Sequence, residues 1–374
     1  MKRFNIKIIV FLIPIILFVI PIGYLLKIYG ESFVNFEQII TEDKYHLIGQ
    51  KFSESNTRGI KTIIANKREP RIVAIGSSRV LQFRAEMFKS SFYNYGYTTS
   101  QNGSILPTLK LITENSPPDY LILGLDQWNF NKNWDNSEYP NYLQSNAEIK
   151  NIAISSIPGF LIEVINSKNI LKIPNGMVGL NAIINNSGFR RDGSRDYGIH
   201  IDKLEANDTT IEDYLFKNTF SRIEEGRDRF EYGENIDLSD LNYIEDIIEY
   251  CNNDSIKLII FMPPFAPAVW SAMERSGNYN YIKELDKHVK RICDVNEVPY
   301  FNFSAPDLIS YSDHEMVDGF HGSERVYGKM LLHMAQNSSS IDGIIDKNNL
   351  DQTLRETSHL NMFDKPTNIS ANGF

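Results

Sequence analysis

Short apolar runs alternate with amphipathic stretches along most of this chain, and that alternation predicts an α/β fold: a three-layer α/β/α sandwich around a mostly parallel sheet. Three observations predict it. Runs at Ile72–Ile75, Tyr120–Leu125, Leu258–Met262 and Pro299–Phe303 are short and largely apolar, with a weaker one at Phe92–Tyr95; such runs suit strands buried on both faces of a parallel sheet. Helical stripes of crossover length separate them. With 374 residues, 42% of them hydrophobic, the chain can build a sizeable core.

The chain opens with Lys2, Arg3 and Lys7, followed by an uncharged apolar run from Ile8 to Leu26. At about 19 residues it approaches the ~20 that span a bilayer as a helix. Pro14 and Pro21 are tolerated better in membrane helices than in soluble ones. A cleaved signal peptide is the rival reading, but the apolar core is long and no A-x-A-like site follows it. The expectation is an uncleaved signal anchor within residues 1–30, a single-pass transmembrane helix. Basic residues before the span keep the N-terminus cytoplasmic, which places the remainder in the periplasm or at the cell surface. Residues 31–69, mixed and polar, read as a stalk with lead-in helices.

The sheet-forming domain is expected over residues 70–338. Ser104–Asn115 forms a helix before the strand in the 120s. Leu241, Ile244, Ile247, Ile248 and Cys251 share one helical stripe, as do Ile282, Leu285, Val289 and Ile292. Ser323–Gln336 closes the series. Residues 128–238 break the rhythm and read as an insertion folding over one end of the sheet as a cap. The polar stretch 339–374 reads as a flexible C-terminal tail.

A net charge of −9 argues against nucleic acid as a partner. No phosphate-binding G-x-x-x-x-G-K-S/T or G-x-G-x-x-G occurs. Cys251 and Cys293 fit no C-x-x-C or zinc spacing and read as buried thiols. No H-E-x-x-H or comparable ligand spacing suggests a metal, and no cofactor is called for.

The strand Ile72–Ile75 runs into Gly76, Ser77, Ser78 and Arg79. Ligands of open α/β sheets bind beyond the carboxyl ends of the strands, and a serine there becomes a nucleophile only with a base. Of seven histidines, His46, His200 and His359 lie outside the sheet repeat, while His288 and His333 sit inside helices. "SDHEMVDGFHGSERVYGKM" remains, just after the last strand. Asp318 and His321, three apart, suit a carboxylate that orients an imidazole and stabilises its charged form. His314 with adjacent Asp313 is a rival, less suited because neighbouring side chains diverge.

Gly76-Ser77-Ser78-Arg79 with the distant Asp318-Gly319-Phe320-His321 resembles the SGNH (GDSL) hydrolase superfamily, and within it the membrane-anchored DltD-like branch. The resemblance covers most of residues 70–127 and 255–336 but not the insertion. It implies a flavodoxin-like sheet, Ser78 as nucleophile, His321 as base and Asp318 as its partner. The N–H groups of Ser78 and of Gly96, in "NYG", are implied oxyanion donors. "LGLDQW" falls at the third conserved block, where Asp126 stands at the usual oxyanion asparagine. An ionised Asp126 cannot donate; it is protonated, or Gln127 or Asn129 supplies the donor, or that contribution is absent. "FMPPFAP" resembles the branch's proline-rich strand exit.

Around this centre, Arg79 is expected to orient a substrate carbonyl or pair with Asp126. Trp128 stacks on a sugar or packs under the cap. Arg191, in "GFRRDGSRDYG", holds an anionic or polyhydroxyl substrate from a cap loop or belongs to a solvated turn. The expected function is a serine esterase or O-acyltransferase, without cofactor or metal, acting through an acyl-enzyme on an envelope polysaccharide or lipid-linked polymer. O-acetyl groups are the first choice of acyl unit and D-alanyl esters or thioesters the second. The expected partners are the acylated polymer, the bilayer and a multi-pass membrane acyltransferase. The alternative is a non-catalytic protein of the same fold that binds the polymer or that acyltransferase.

Overall fold

The structure, a computed structural model, describes residues 2–114, 116–134, 148–167 and 173–364, with the backbone alone at 2–10, 12, 14 and 15. Its strands are β1 Leu47–Ile48, β2 Ile72–Gly76, β3 Phe92–Gly96, β4 Tyr120–Gly124, β5 Met177–Val178, β6 Gly188–Arg190, β7 Arg195–Asp196, β8 Lys257–Met262 and β9 Tyr300–Asn302. The chain divides into two units. One takes residues 1–63, 147–191 and 196–199; the other takes 64–146, 192–195 and 200–374.

The larger unit holds a five-stranded sheet of order β3-β2-β4-β8-β9. Every neighbouring pair in it is parallel. Parallel neighbours need crossovers, and helices supply them on both faces. Ile105–Thr113 links β3 to β4, and Leu241–Asn253 precedes β8. Pro267–Ser276 and Tyr281–Val295 lie between β8 and β9, and Glu324–Asn337 follows β9. β2 is buried along its whole length, as its apolar run demands. Leu241, Ile244, Ile247, Ile248 and Cys251 are buried along one stripe as expected. In the later helix, Cys293 rather than Ile292 completes the buried row with Ile282, Leu285 and Val289. From β2 the chain goes first to β3 on one side and then to β4 on the other. The carboxyl ends of β2 and β4 therefore flank the switch point where doubly wound sheets place their ligands.

The expected flexible tail is corrected over residues 339–364. Helices form at Ser339–Asp342 and Lys347–Glu356, and Ile341, Ile345, Leu350, Leu360 and Met362 are buried. Apolar residues at wide spacing among Asn, Asp and Ser suffice to dock this segment. Residues 365–374 lie outside the described residues.

In the smaller unit, β1 pairs parallel with β5 and antiparallel with β6. Leu26, Tyr29, Phe160, Val164 and Leu180 form its core. Glu31 is fully buried, its carboxylate accepting the N–H groups of Lys51, Phe52 and Leu180. Burial raises the Glu31 pKa, and those donors oppose the rise. Residues 31–63 thus belong to a folded body instead of a stalk. The stretch 128–238 is not one cap: residues 148–167 and 173–191 go with the N-terminal residues, and 200–238 with the sheet's unit. The parts of it at 135–147 and 168–172 lie outside the described residues.

The first helix runs Lys2–Ile28. Its final turns are packed by protein, with Leu26 and Tyr29 buried, whereas Phe11, Ile16, Leu17, Phe18, Val19 and Ile20 are exposed. Among the described residues, no helix is long and apolar enough to cross a membrane.

Candidate active site

The serine turn is shaped by the glycines that end three adjacent strands. Gly76 has φ +155°, and a Cβ there would lie 2.8 Å from Val80 Cγ1 and 3.0 Å from the Gly124 carbonyl oxygen. A Cβ on Gly96 or Gly124 would approach a Val80 methyl to 2.4 Å. One valine, two residues past Ser78, therefore sits on the ends of β2, β3 and β4, and only glycine leaves room for it. Asn94 Nδ2 ties the turn to β3, donating to the carbonyls of Val80 at 2.8 Å and Phe83 at 3.0 Å. Ser77 caps the short helical turn Ser78–Val80, its Oγ accepting from Arg79 N–H at 3.1 Å. With Ser77 employed as a cap, Ser78 presents the free hydroxyl.

The histidine loop is pinned from several sides. Ala266 N–H donates to the Gly319 carbonyl at 2.9 Å, and Val317 N–H donates to the His321 carbonyl at 2.8 Å. Asp318 Oδ1 accepts the N–H groups of Phe320 and His321, each at 2.9 Å. Its Oδ2 lies 2.7 Å from His321 Nδ1, and His321 Nε2 lies 2.8 Å from Ser78 Oγ. With Nδ1–H donating to the carboxylate, Nε2 is left as acceptor for the Ser78 hydroxyl. Burial alone would raise the Asp318 pKa; the imidazole and the two N–H groups outweigh it and hold the carboxyl below its ordinary value. The His321 and Asp318 side chains are 13% and 26% exposed, so the line of three groups is open to solvent at its edge. The rival pair is absent: His314 is exposed, and Asp313 Oδ1 accepts Ala268 N–H.

The expected oxyanion donors fare unevenly. Ser78 N–H has no acceptor among the described residues. Gly96 N–H is directed at Asn94 Oδ1, 3.0 Å away, which corrects its expected role. Asp126 is buried and faces Arg79 at 3.4 Å, so it enters an ion pair instead of the oxyanion position. Gln127 is closed as well. Its Oε1 accepts from Arg79 at 2.5 Å, and its Nε2 donates to the Pro263 carbonyl at 2.9 Å and Ser304 Oγ at 2.7 Å. Asn129 is buried, and its Oδ1 has no hydrogen-bond partner among the described residues.

Arg79 is sealed in, so it is not placed to orient a substrate carbonyl; the pairing with Asp126 is the reading that holds. It donates from Nε to the Phe320 carbonyl at 2.9 Å, and from Nη2 to the carbonyls of Pro263 at 2.9 Å and Pro264 at 2.7 Å. Its guanidinium lies 4.9 Å from the Trp128 ring and 4.6 Å from that of Phe265. Burial lowers its pKa, and Asp126 opposes the fall. Arg79 thereby joins the serine turn to the residue before His321.

Trp128 is 3% exposed and meets Phe320 edge-on at 5.9 Å, so it packs instead of offering a stacking face. Arg191 belongs to the smaller unit, where it donates to the Tyr45 and Asp43 carbonyls and pairs with the Asp43 carboxylate at 3.0 Å. Those contacts replace its expected role toward substrate. The sequence reading missed Arg229, whose guanidinium lies 5.8 Å from each of the Trp128 and Phe320 rings. It sits in a charge-rich run, "EEGRDRFEYGE", which carries no signal of that placement.

Among the described residues, no group of three or more His, Cys, Asp or Glu is placed to hold a metal ion. A cavity of about 610 Å³ is lined by smaller-unit residues, Glu31, Phe33 and Gln50 among them, and by none of the three groups above. No family model matches the chain, and neither does any curated protein or solved structure.

Proposed function

We propose that this protein is a serine esterase or O-acyltransferase of the SGNH kind, close to the DltD-like branch with its flavodoxin-like sheet. We place it outside the cytoplasm on a signal anchor, acting on acyl groups of an envelope polysaccharide or lipid-linked polymer. The observation that carries the reading is the continuous hydrogen-bonded line from Ser78 Oγ through His321 to Asp318, at 2.8 and 2.7 Å. Such a line makes a hydroxyl nucleophilic at neutral pH. Ser78 Oγ attacks the acyl carbonyl as His321 Nε2 takes its proton. Asp318 keeps the proton on Nδ1 and stabilises the imidazolium. Ser78 N–H receives the developing oxyanion. His321 then protonates the departing alcohol, leaving an acyl-Ser78 ester, which water or a sugar hydroxyl opens with His321 again as base.

The anchor rests on the sequence, in the uncharged apolar run Ile8–Leu26 that follows Lys2, Arg3 and Lys7, and on the exposed Phe11, Ile16, Leu17, Phe18, Val19 and Ile20 of the first helix. A tethered enzyme works on what lies at the membrane surface, which motivates a polymer substrate and a multi-pass acyltransferase partner. O-acetyl is the preferred acyl group, D-alanyl the next.

One observation favours the second reading, a non-catalytic binding protein: the Gly96 N–H, Asp126 and Gln127 all have partners within the protein. A fluorophosphonate probe separates the two. Labelling of the intact chain that persists in Ser77→Ala and vanishes in Ser78→Ala is expected. A chain that never labels belongs to the binding class.

A further inference from the structure

We propose that the helix Ile157–Asn166 of the smaller unit lies in the surface of the bilayer beside the first helix, with Ile162 and Ile165 set among lipid acyl chains. This rests on the signal-anchor reading of the first helix and is independent of the chemistry at Ser78. In the ten residues IPGFLIEVIN, Glu163 and Asn166 alone carry polar side chains. Phe160 and Val164, one turn apart, are buried in the unit's core. Away from them Ile162 and Ile165, also one turn apart, are 59% and 65% exposed, and Ile154, in the turn just before the helix, is 84% exposed. A helix at a protein–water boundary keeps its outer face polar; one apolar on both faces meets an apolar medium on the second. The single charge is no obstacle, since Glu163 pairs with Lys51 at 2.7 Å.

What identifies that medium is the level at which this helix meets the first one. Phe160 and Val164 share an apolar cluster with Leu26 and Tyr29, and Ile22, Leu25, Ile28 and Leu161 pack against it. The Tyr29 and Phe160 rings meet edge-on at 5.9 Å. The contact therefore falls on the last turns of the first helix, where the uncharged run Ile8–Leu26 ends. Tyr24 and Lys27 are exposed at the same place, and a tyrosine and a lysine closing an apolar span mark the headgroup level. From Ile22 to Tyr29 the axis advances about 10 Å, which matches the ~5–10 Å that an interfacial helix sinks its apolar face into the headgroup–acyl boundary. The exposed apolar surface of Phe18, Val19 and Ile20 thus leads up to that of Ile162 and Ile165. Held by two helices instead of one, the smaller unit keeps a fixed attitude on the membrane.

The experiment reconstitutes the full chain in vesicles of phosphatidylcholine and phosphatidylglycerol. Cys251 and Cys293 are buried, so a fluorophore goes to the thiol introduced by Ile162→Cys, Ile165→Cys or Phe18→Cys, each in a separate chain. Labels at positions 162 and 165 are expected to lose more emission to acyl chains brominated next to the headgroup than to chains brominated near their ends. The label at 18, in mid-span, should show the reverse order. Adding Ile165→Asp to the Ile162→Cys chain should weaken the quenching at 162, because a carboxylate resists transfer out of water. Labels at 162 and 165 that only aqueous iodide quenches, with the label at 18 still reached by brominated chains, overturn the proposal and leave the anchor standing. Shielding that vanishes as the protein is diluted with excess lipid assigns the face to a second copy of this chain, and overturns it as well. A label at 18 that no brominated lipid reaches removes the anchor reading, and this inference with it.

Discussion

The loops that leave β2 and β4 meet over Val80, whose methyls cover the glycines ending both strands, yet they treat their polar groups in opposite ways. After β2, Ser78 keeps its N–H without an acceptor among the described residues and gives its hydroxyl to a histidine at the site's edge. After β4, Asp126 and Gln127 are buried and tied to Arg79, Pro263 and Ser304. The first loop holds unsatisfied capacity facing outward; the second has turned similar capacity inward and become a brace. A strand exit in a doubly wound sheet is therefore only a place where chemistry can occur. What decides it is whether a buried cation comes to claim the exit's acceptors.

The largest effect expected from breaking the brace is on stability. Arg79→Met removes the cation facing Asp126 and leaves the carbonyls of Phe320, Pro263 and Pro264 without this donor. Leaving a buried carboxylate unpaired is worth about 3–5 kcal/mol. Urea unfolding should move to lower concentration accordingly, and adding Asp126→Leu should return much of the loss, since the unpaired charge is then gone. An Arg79→Met chain that unfolds at the wild-type midpoint would mean the second loop is not braced as described.

The strands were legible because burial on both faces leaves uninterrupted apolar runs: Ile72–Gly76, Tyr120–Gly124 and Lys257–Met262 each fall within about two residues of where the pattern puts them. Ser78, His321 and Asp318 were legible too, since a hydroxyl at a strand exit needs a base and the loop after β9 offered one at a fitting spacing. Arg79's role was not. Whether a guanidinium faces solvent or five inward acceptors depends on residues up to 241 positions away, such as Phe320. The smaller unit escaped for a related reason. Its strands β1 and β5 have two residues each and pair over long separations, so neither carries a period of its own.

A milder change asks whether the second loop could be reopened. Asp126→Asn puts at the exit of β4 the asparagine that the proposed SGNH reading would call for, while keeping the shape of the side chain. With Arg79 still facing position 126, the new amide should stay turned inward. The expected outcome is a loss of about 1 kcal/mol from the weakened charge contact and a rate on aryl acetates within about tenfold of wild type. A rise of about 10²-fold or more, the worth of one oxyanion donor, would show that position 126 does reach the reacting carbonyl and that the contrast between the loops is drawn too sharply.

The smallest effect lies at Asp240, just before the helix Leu241–Asn253, whose pKa is pushed up to about 6, by burial first and by Asp237 second, with Asn102 a smaller opposing influence. Among the described residues no cation brings it down, a condition between the open first loop and the braced second. A raised acid favours the protonated form in the folded state. Below about pH 4 both states hold the proton and nothing is lost. Between about pH 4 and 6 the unfolded chain ionises while the folded one resists, so stability falls as pH rises, and the deficit is complete above that window. Asp240→Asn keeps the size and shape of the side chain and removes the titration. It should raise the unfolding free energy at pH 7.5 by about 1 kcal/mol, after allowance for solvent screening, and change it little at pH 4. An equal gain at both pH values would point to a local helix-turn preference and would take Asp240 out of the comparison.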